Sequence, residues 1–248
     1  DGAVSLDEMM SKLAAQPLAF QPGSQFRYSV ATDVLAHVIE KATGERLDDL
    51  LREHLFEPLQ MQDTGFCIAL DQQDRLMPMF GVSNLRDLSP MNPPMEQTLT
   101  AIDVDGMYPA ADSNFRRGGH SLFSTTSDYL KFATMLLDGK TVSGEVLLSR
   151  TMLKMMQANR IPEHQLPLKI GLGPLPGYGW GLTGRVMLDT GQAMSLTNNG
   201  EFGWSGAAAT YFWVDPAESM VGVIMTQYLG SILPLSEALR TAAYQMLD

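Results

Sequence analysis

Leu6, Met9, Met10 and Leu13 recur at helical spacing behind Ser5-Leu6-Asp7-Glu8, a capping box whose Ser hydroxyl and Glu carboxylate can satisfy free N–H groups of a first turn. Pro17 ends that run. A second stripe, Val34, Leu35, Val38, Ile39 and Ala42, predicts a helix over Asp33 to Thr43 with Gly44 as its C′ residue. A third helix is expected from about Leu47 to Leu55, before Pro58. Thr125-Thr126-Ser127-Asp128 starts another, carrying Tyr129, Phe132, Ala133, Leu136 and Leu137 up to Gly139, and Ser149 starts a Met-rich one. From Gly177 the period changes. Gly179 to Met187, Ala207 to Val214 and Ser219 to Gln227 read as strands, the last two joined by Asp215-Pro216-Ala217-Glu218 as an antiparallel hairpin. Both faces of the last strand are apolar, so both are expected to be covered; Leu235, Leu239, Ala242 and Met246 form a closing helix suited to one of them.

These elements predict an α/β (α+β) chain: a mainly helical region over residues 1–172, then an antiparallel sheet covered by a C-terminal helix over 173–248. Between Asp71 and Gly118 the chain carries Pro78, Pro90, Pro93, Pro94 and Pro109 with little sustained period. So long an irregular segment is expected to cross or line a cleft. Its methionines, Met77, Met79, Met91, Met95 and Met107, could form an adaptable pocket, though core filling is the preferred reading.

Composition narrows the function classes. With 248 residues, 45% of them hydrophobic, the chain can bury a core, which excludes global disorder. The net charge of −11, with no Lys/Arg run, speaks against nucleic acid and anionic membranes as partners. Cys67 is the one cysteine, so an intrachain disulfide is excluded. No apolar run approaches the ~18 residues of a membrane span. The compartment stays open, the cytoplasm being preferred to periplasm or export.

Familiar chemistries mostly fail on spacing. His37, His54, His120 and His164 are scattered with no metal-ligand motif, and His37 with Glu40 reads as a solvated helix face, so no metal or cofactor is expected. Gly171-Leu172-Gly173-Pro174 reads as a turn, not a phosphate cradle. Gly119-His120-Ser121-Leu122-Phe123 matches a nucleophile elbow at four positions, but Phe123 stands where the strained turn needs a small residue. Two segments are harder to explain as scaffold. Pro22 to Ser29 puts Tyr28 beside a turn and just before a helix, and Asn198 to Gly206 runs a Gly-rich stretch containing Trp204 into a strand, where a ligand could approach the backbone.

Three long collinear stretches, Pro17 to Phe66, Gly118 to Gly139 and Gly200 to Gln227, resemble the serine β-lactamase and penicillin-binding-protein superfamily, most closely its carboxylesterases similar to class C β-lactamases. The resemblance implies a β-lactamase/transpeptidase-like fold and an acyl-enzyme mechanism on a small-molecule ester or amide. Tyr28 falls on the tyrosine of the family's second motif, a general base and acid. Val30 stands two residues on, where lactamases have Asn, as the esterase branch does. Trp204-Ser205-Gly206 falls on the third motif, Lys-Thr-Gly in lactamases; Trp204 removes a carboxylate-binding cation and supplies an aromatic wall, and the Ala207 N–H falls on an oxyanion donor. The family's nucleophilic Ser-x-x-Lys has no counterpart in this chain. Thr151-Met152-Leu153-Lys154 has a similar spacing but follows Tyr28 on a helix and reads as structural. The resemblance thus implies that the N-terminal part of the fold precedes Asp1. The expected consequences are a chain inactive by itself and apolar surface awaiting a companion N-terminal fragment or self-association.

Overall fold

A computed structural model describes residues 4–82, 99–105, 110–111, 115–171, 173–231 and 233–247. Pro90, Pro93, Pro94, Pro109, Met91, Met95, Met107 and Leu172 lie outside the described residues. The chain divides into two compact units, Asp1–Leu76 with Val104–Thr125, and Met77–Asp103 with Thr126–Asp248.

The first unit is helical. In α1 (Leu6–Ala14) the capping box forms as expected: Glu8 N donates to Ser5 Oγ at 3.2 Å, and Val4 N to Glu8 Oε2 at 3.0 Å. α2 (Ala31–Thr43) stops at Gly44, whose φ of 76° is the left-handed cap. The expected third helix proves composite: α3 (Leu47–Leu51) runs into a π-turn over Arg52–Phe56. Leu6, Ala36 and Leu47 pack together, with Leu51, Phe66 and Phe115 against them. Ala36 thus marks the inner face of α2. The stripe read from the sequence is offset from that face: Leu35 and Val38 are 56% and 53% exposed, while Asp33 is buried.

In the second unit, part of the stretch expected to be irregular is ordered, with β1 (Met79–Gly81) and β2 (Ala101–Ile102) pairing antiparallel. α4 (Thr126–Asp138) and α5 (Arg150–Gln157) match their start signals; Met152 N donates to Ser149 Oγ at 3.1 Å. A small hairpin, β3 (Leu168–Ile170) and β4 (Gly173–Leu175), went unread in the sequence, because Pro174 and the flanking glycines conceal its short alternation.

The main sheet holds β5 (Tyr178–Trp180), β6 (Arg185–Met187), β7 (Phe202–Ser205), β8 (Tyr211–Asp215) and β9 (Met220–Ile224), antiparallel in chain order. β10 (Tyr228–Leu229) instead joins β1 in parallel. The expected strand Gly179 to Met187 is therefore two strands around a turn. That from Ala207 to Val214 begins only at Tyr211, because Gly206–Thr210 closes a loop: Gly206 N donates to Thr210 O at 2.8 Å and Ala209 has φ 59°. The β8–β9 hairpin forms as read, its turn held by Asp215 Oδ1, which accepts from the N–H groups of Ala217 (2.9 Å) and Glu218 (3.3 Å).

Alternation along β8 assigns the sheet's two faces. Phe212 meets Tyr129 and Phe132 of α4, at ring-centroid distances of 5.3 and 6.4 Å. Burial against that face pushes the Tyr129 phenol up to about 12. Tyr211 points the other way, to α6 (Leu235–Tyr244), whose Arg240 Nη1 donates to the Tyr211 hydroxyl at 3.1 Å. Both faces are covered, one by the C-terminal helix, as expected of the α/β architecture read from the sequence.

Candidate active site

Tyr28 lies in the first unit, outside any helix or strand and three residues before α2, and is 52% exposed. The helix that follows is anchored at its first turn. Asp33, 1% exposed, accepts from Arg117 Nη2 at 3.0 Å, from Arg117 Nε at 3.2 Å and from Gly119 N at 3.1 Å. Gly118 lets that loop reach the helix: a Cβ there would stand 2.2 Å from the Thr32 carbonyl oxygen. Asp33 and Arg117 were missed by the sequence reading. They are 84 positions apart, and a charge at a helix start ordinarily faces water.

The neighbouring loop explains the failed elbow motif. Ser121 does adopt a left-handed φ of 77°, but Phe123 is held in an isolated bridge, its N–H donating to Gly65 O at 2.8 Å and its carbonyl accepting from Gly65 N at 3.1 Å. Phe123 is thus strapped to the Gly65 backbone. His120, half-buried in this loop, has its pKa lowered by burial and by the Arg117 cation, against the opposing pull of Asp33. His37 lies 3.5 Å from Asp7, and Glu40 accepts from Leu47 N at 2.8 Å, so both serve the joints between helices. Thr151 to Lys154 sit on α5 with Leu153 inward. Among the described residues no group of three or more His, Cys, Asp or Glu is placed to hold a metal ion. No described helix is long and apolar enough to cross a membrane.

Trp204 and Ser205 end β7 in the second unit, and Gly206 and Ala207 follow in the connecting loop. Ser205, Gly206 and Ala207 are exposed, Trp204 half-buried. A Cβ on Gly206 would stand 2.3 Å from Thr210 Oγ1, which accounts for glycine at this tight corner. The loop is fixed from behind: Ala208 O accepts from Thr226 Oγ1 at 2.5 Å and from Tyr228 N at 3.2 Å. The Ala207 N–H donates to no acceptor among the described residues. A backbone donor with no acceptor of its own, in a loop fixed from behind, is of the kind that can hold a developing negative oxygen.

Comparison with known proteins agrees with this architecture. Protein Rv1367c of Mycobacterium tuberculosis is 30% identical over 90% of this chain and 53% of its own length. Esterase EstB of Burkholderia gladioli is 28% identical over 96% of this chain and 59% of its own. Among solved structures, EstCE1, a hydrolase with promiscuous acyltransferase activity, superposes with a TM-score of 0.78 at 24% identity, covering 98% of this chain and 62% of that one. The chain therefore spans little more than half the length of these relatives. The Beta-lactamase family model matches residues 1–245, nearly end to end, and the chain belongs to the Beta-lactamase family.

Proposed function

We propose that this chain is the C-terminal portion of a serine carboxylesterase that hydrolyses small esters through an acyl-enzyme. The Ser of an upstream Ser-x-x-Lys attacks the ester carbonyl while Tyr28 takes its proton. The Ala207 N–H holds the oxyanion, and collapse expels the alcohol, which regains the proton from Tyr28. Water, deprotonated by the same phenolate, then releases the acid and restores the serine. Trp204 is the observation that carries the reading: an indole, in place of the lactamase Lys, at the end of β7 and three residues before exposed Ala207. Val30 and the 28% identity to Esterase EstB support the same choice.

The test is hydrolysis of p-nitrophenyl acetate by the full-length gene product and its Tyr28→Phe variant. A large loss of kcat is expected, and unchanged activity would refute the assignment. A second reading, a β-lactamase, D,D-peptidase or acyl transferase of the same fold, draws on the retained tyrosine motif; mass spectrometry showing an adduct with penicillin but none with an ester would favour it. Ester turnover by the purified 248-residue chain would contradict our expectation that it is inactive alone.

A further inference from the structure

Trp180 and Trp204 meet edge to face, their ring centroids 4.5 Å apart and their planes at 76°. Trp213, by contrast, is sealed in the sheet at 4% exposure, whereas Trp180 and Trp204 are both half-buried. A contact of this geometry is favoured by the aromatic quadrupoles and restricts both rings. Both members are held through their backbones, Trp204 by its register opposite Phe212 in the β7–β8 pair. Trp180 ends β5 with its backbone tied on both sides: its N–H donates to Asn159 Oδ1 at 3.0 Å and its carbonyl accepts from Arg160 N at 2.7 Å. Asn159 is fixed in turn, accepting from Ile161 N at 3.0 Å and donating from Nδ2 to Ile161 O at 2.9 Å. Trp204 stands one residue from the end of its strand, with exposed chain beyond it. The turn between β5 and β6 approaches β7 closely at Gly184, where a Cβ would lie 2.5 Å from the Gly203 carbonyl oxygen and 3.4 Å from Trp204 Cβ.

We propose that Trp180 is a positioning residue for substrate selection. It props the Trp204 indole as a fixed apolar wall at the open end of β7, and the ester such a wall takes carries an uncharged aromatic or branched group instead of a carboxylate. This rests on the esterase reading and adds to it the residue that sets its selectivity. A wall held in one orientation discriminates between substrates by shape, whereas a mobile indole would accommodate small and large groups alike.

The experiment compares p-nitrophenyl benzoate with p-nitrophenyl acetate in the full-length gene product, as wild type, Trp180→Leu and Trp180→Phe. Trp180→Leu is expected to lower the benzoate-to-acetate ratio of kcat/KM by about five- to tenfold. The fall should lie in KM, and Trp180→Phe, which keeps an aromatic edge, should restore most of the ratio. The exciton couplet of the indole pair in far-ultraviolet circular dichroism reports the contact itself. Its loss in Trp180→Leu with an unchanged ratio would overturn the proposal, as would an equal rise in KM for both esters. Should Trp180→Leu fail to fold, Trp180→Phe decides alone: a partial fall of the ratio supports the proposal, and an unchanged ratio overturns it. Failure of the esterase reading is seen separately, as Tyr28→Phe without effect. In that event, quenching of tryptophan fluorescence by a non-hydrolysable phenyl ketone still tests the wall, and equal affinity in wild type and Trp180→Leu would overturn it.

Discussion

Arg240 Nη1 lies 2.8 Å from Glu201 Oε2, and the two side chains, from the C-terminal helix and from the residue preceding β7, are 4% and 0% exposed. The same guanidinium donates to the hydroxyls of Tyr178 (3.0 Å), Tyr211 (3.1 Å) and Ser195. Thr197 Oγ1 adds a 2.6 Å bond to Glu201 Oε2. Burial alone would favour neutral Arg240, but Tyr211, Glu201 and Tyr178 hold its pKa above the ordinary value, so it stays a cation. α6 is thus pinned to the sheet by charge where an apolar helix face would have been enough. The pin lies at the root of the strand that carries Trp204.

Removing one partner should therefore cost far more than removing both. Arg240→Met removes the cation that faces the fully buried Glu201 carboxyl group, and the expected loss is about 3–5 kcal/mol in urea denaturation. The double variant Arg240→Met/Glu201→Leu should recover most of it. Glu201 Oε1 and Arg240 Nε are buried with no hydrogen-bond partner among the described residues, so the native pair is itself imperfectly satisfied. A double variant as unstable as the single would refute this account.

Gly222 on β9 is a packing position. A Cβ there would stand 2.0 Å from the Trp213 ring, which lies across it from the paired position on β8. Gly222→Ala should destabilise by about 1–3 kcal/mol through overpacking and should shift the near-ultraviolet circular dichroism of Trp213. Wild-type stability in this variant would mean that the ring can swing aside at no cost.

The elements most legible in the sequence were those whose signals are local. Ser5, Gly44 and Ser149 mark helix ends by chemistry that acts within four residues, and the Asp215–Glu218 turn by the same kind of short-range bonding. The strands were located, but their ends were not. Gly181 to Gly184 and Gly206 to Thr210 break the ladder with turns that an apolar run conceals. The motif residues Tyr28 and Trp204 to Ala207 could be singled out because each lies in one short stretch of sequence. The groups that hold the surrounding structure could not. Arg117 to Asp33 and Arg240 to Glu201 span 84 and 39 positions, and no periodicity encodes a long-range polar pair. Exposed Leu35 and Val38 show the converse error, since an apolar stripe fixes a helix but does not say which side is covered.

His120 supplies a pH dependence with a definite sign. Burial first, and then Arg117, lower its pKa in the folded state beneath the ordinary 6.5. The unfolded chain therefore binds the proton more readily in the interval between the two values, and stability rises with pH there. The contribution is complete above about 6.5 and is lost as the pH falls through the folded value. Urea midpoints measured at neutral and acidic pH should drop on acidification, and His120→Gln should reduce that drop. An identical drop in the variant would assign the effect to other groups.

Asp33→Asn tests whether the buried carboxylate anchors the segment preceding α2. Wild-type Asp33 accepts from Nε and Nη2 of Arg117 and from the Gly119 N–H, and Asn keeps the shape and one acceptor while removing the charge. Arg117, 15% exposed, would then lose the charge that Asp33 sets against it at a largely buried place, and a loss of about 1–3 kcal/mol is expected. The same change removes the group that raises the His120 pKa and leaves the one that lowers it. The His120 pKa should therefore fall further in Asp33→Asn, as read by the histidine ring protons in NMR titration. A rise would show that Arg117 moves away once its partner is neutral, and that Asp33 does not hold the loop against the helix. Esterase turnover of the full-length protein separates the two cases again: with the loop held, Asp33→Asn should impair kcat because Tyr28 lies only three residues before the helix that Asp33 secures, whereas a free loop would leave kcat at the wild-type value.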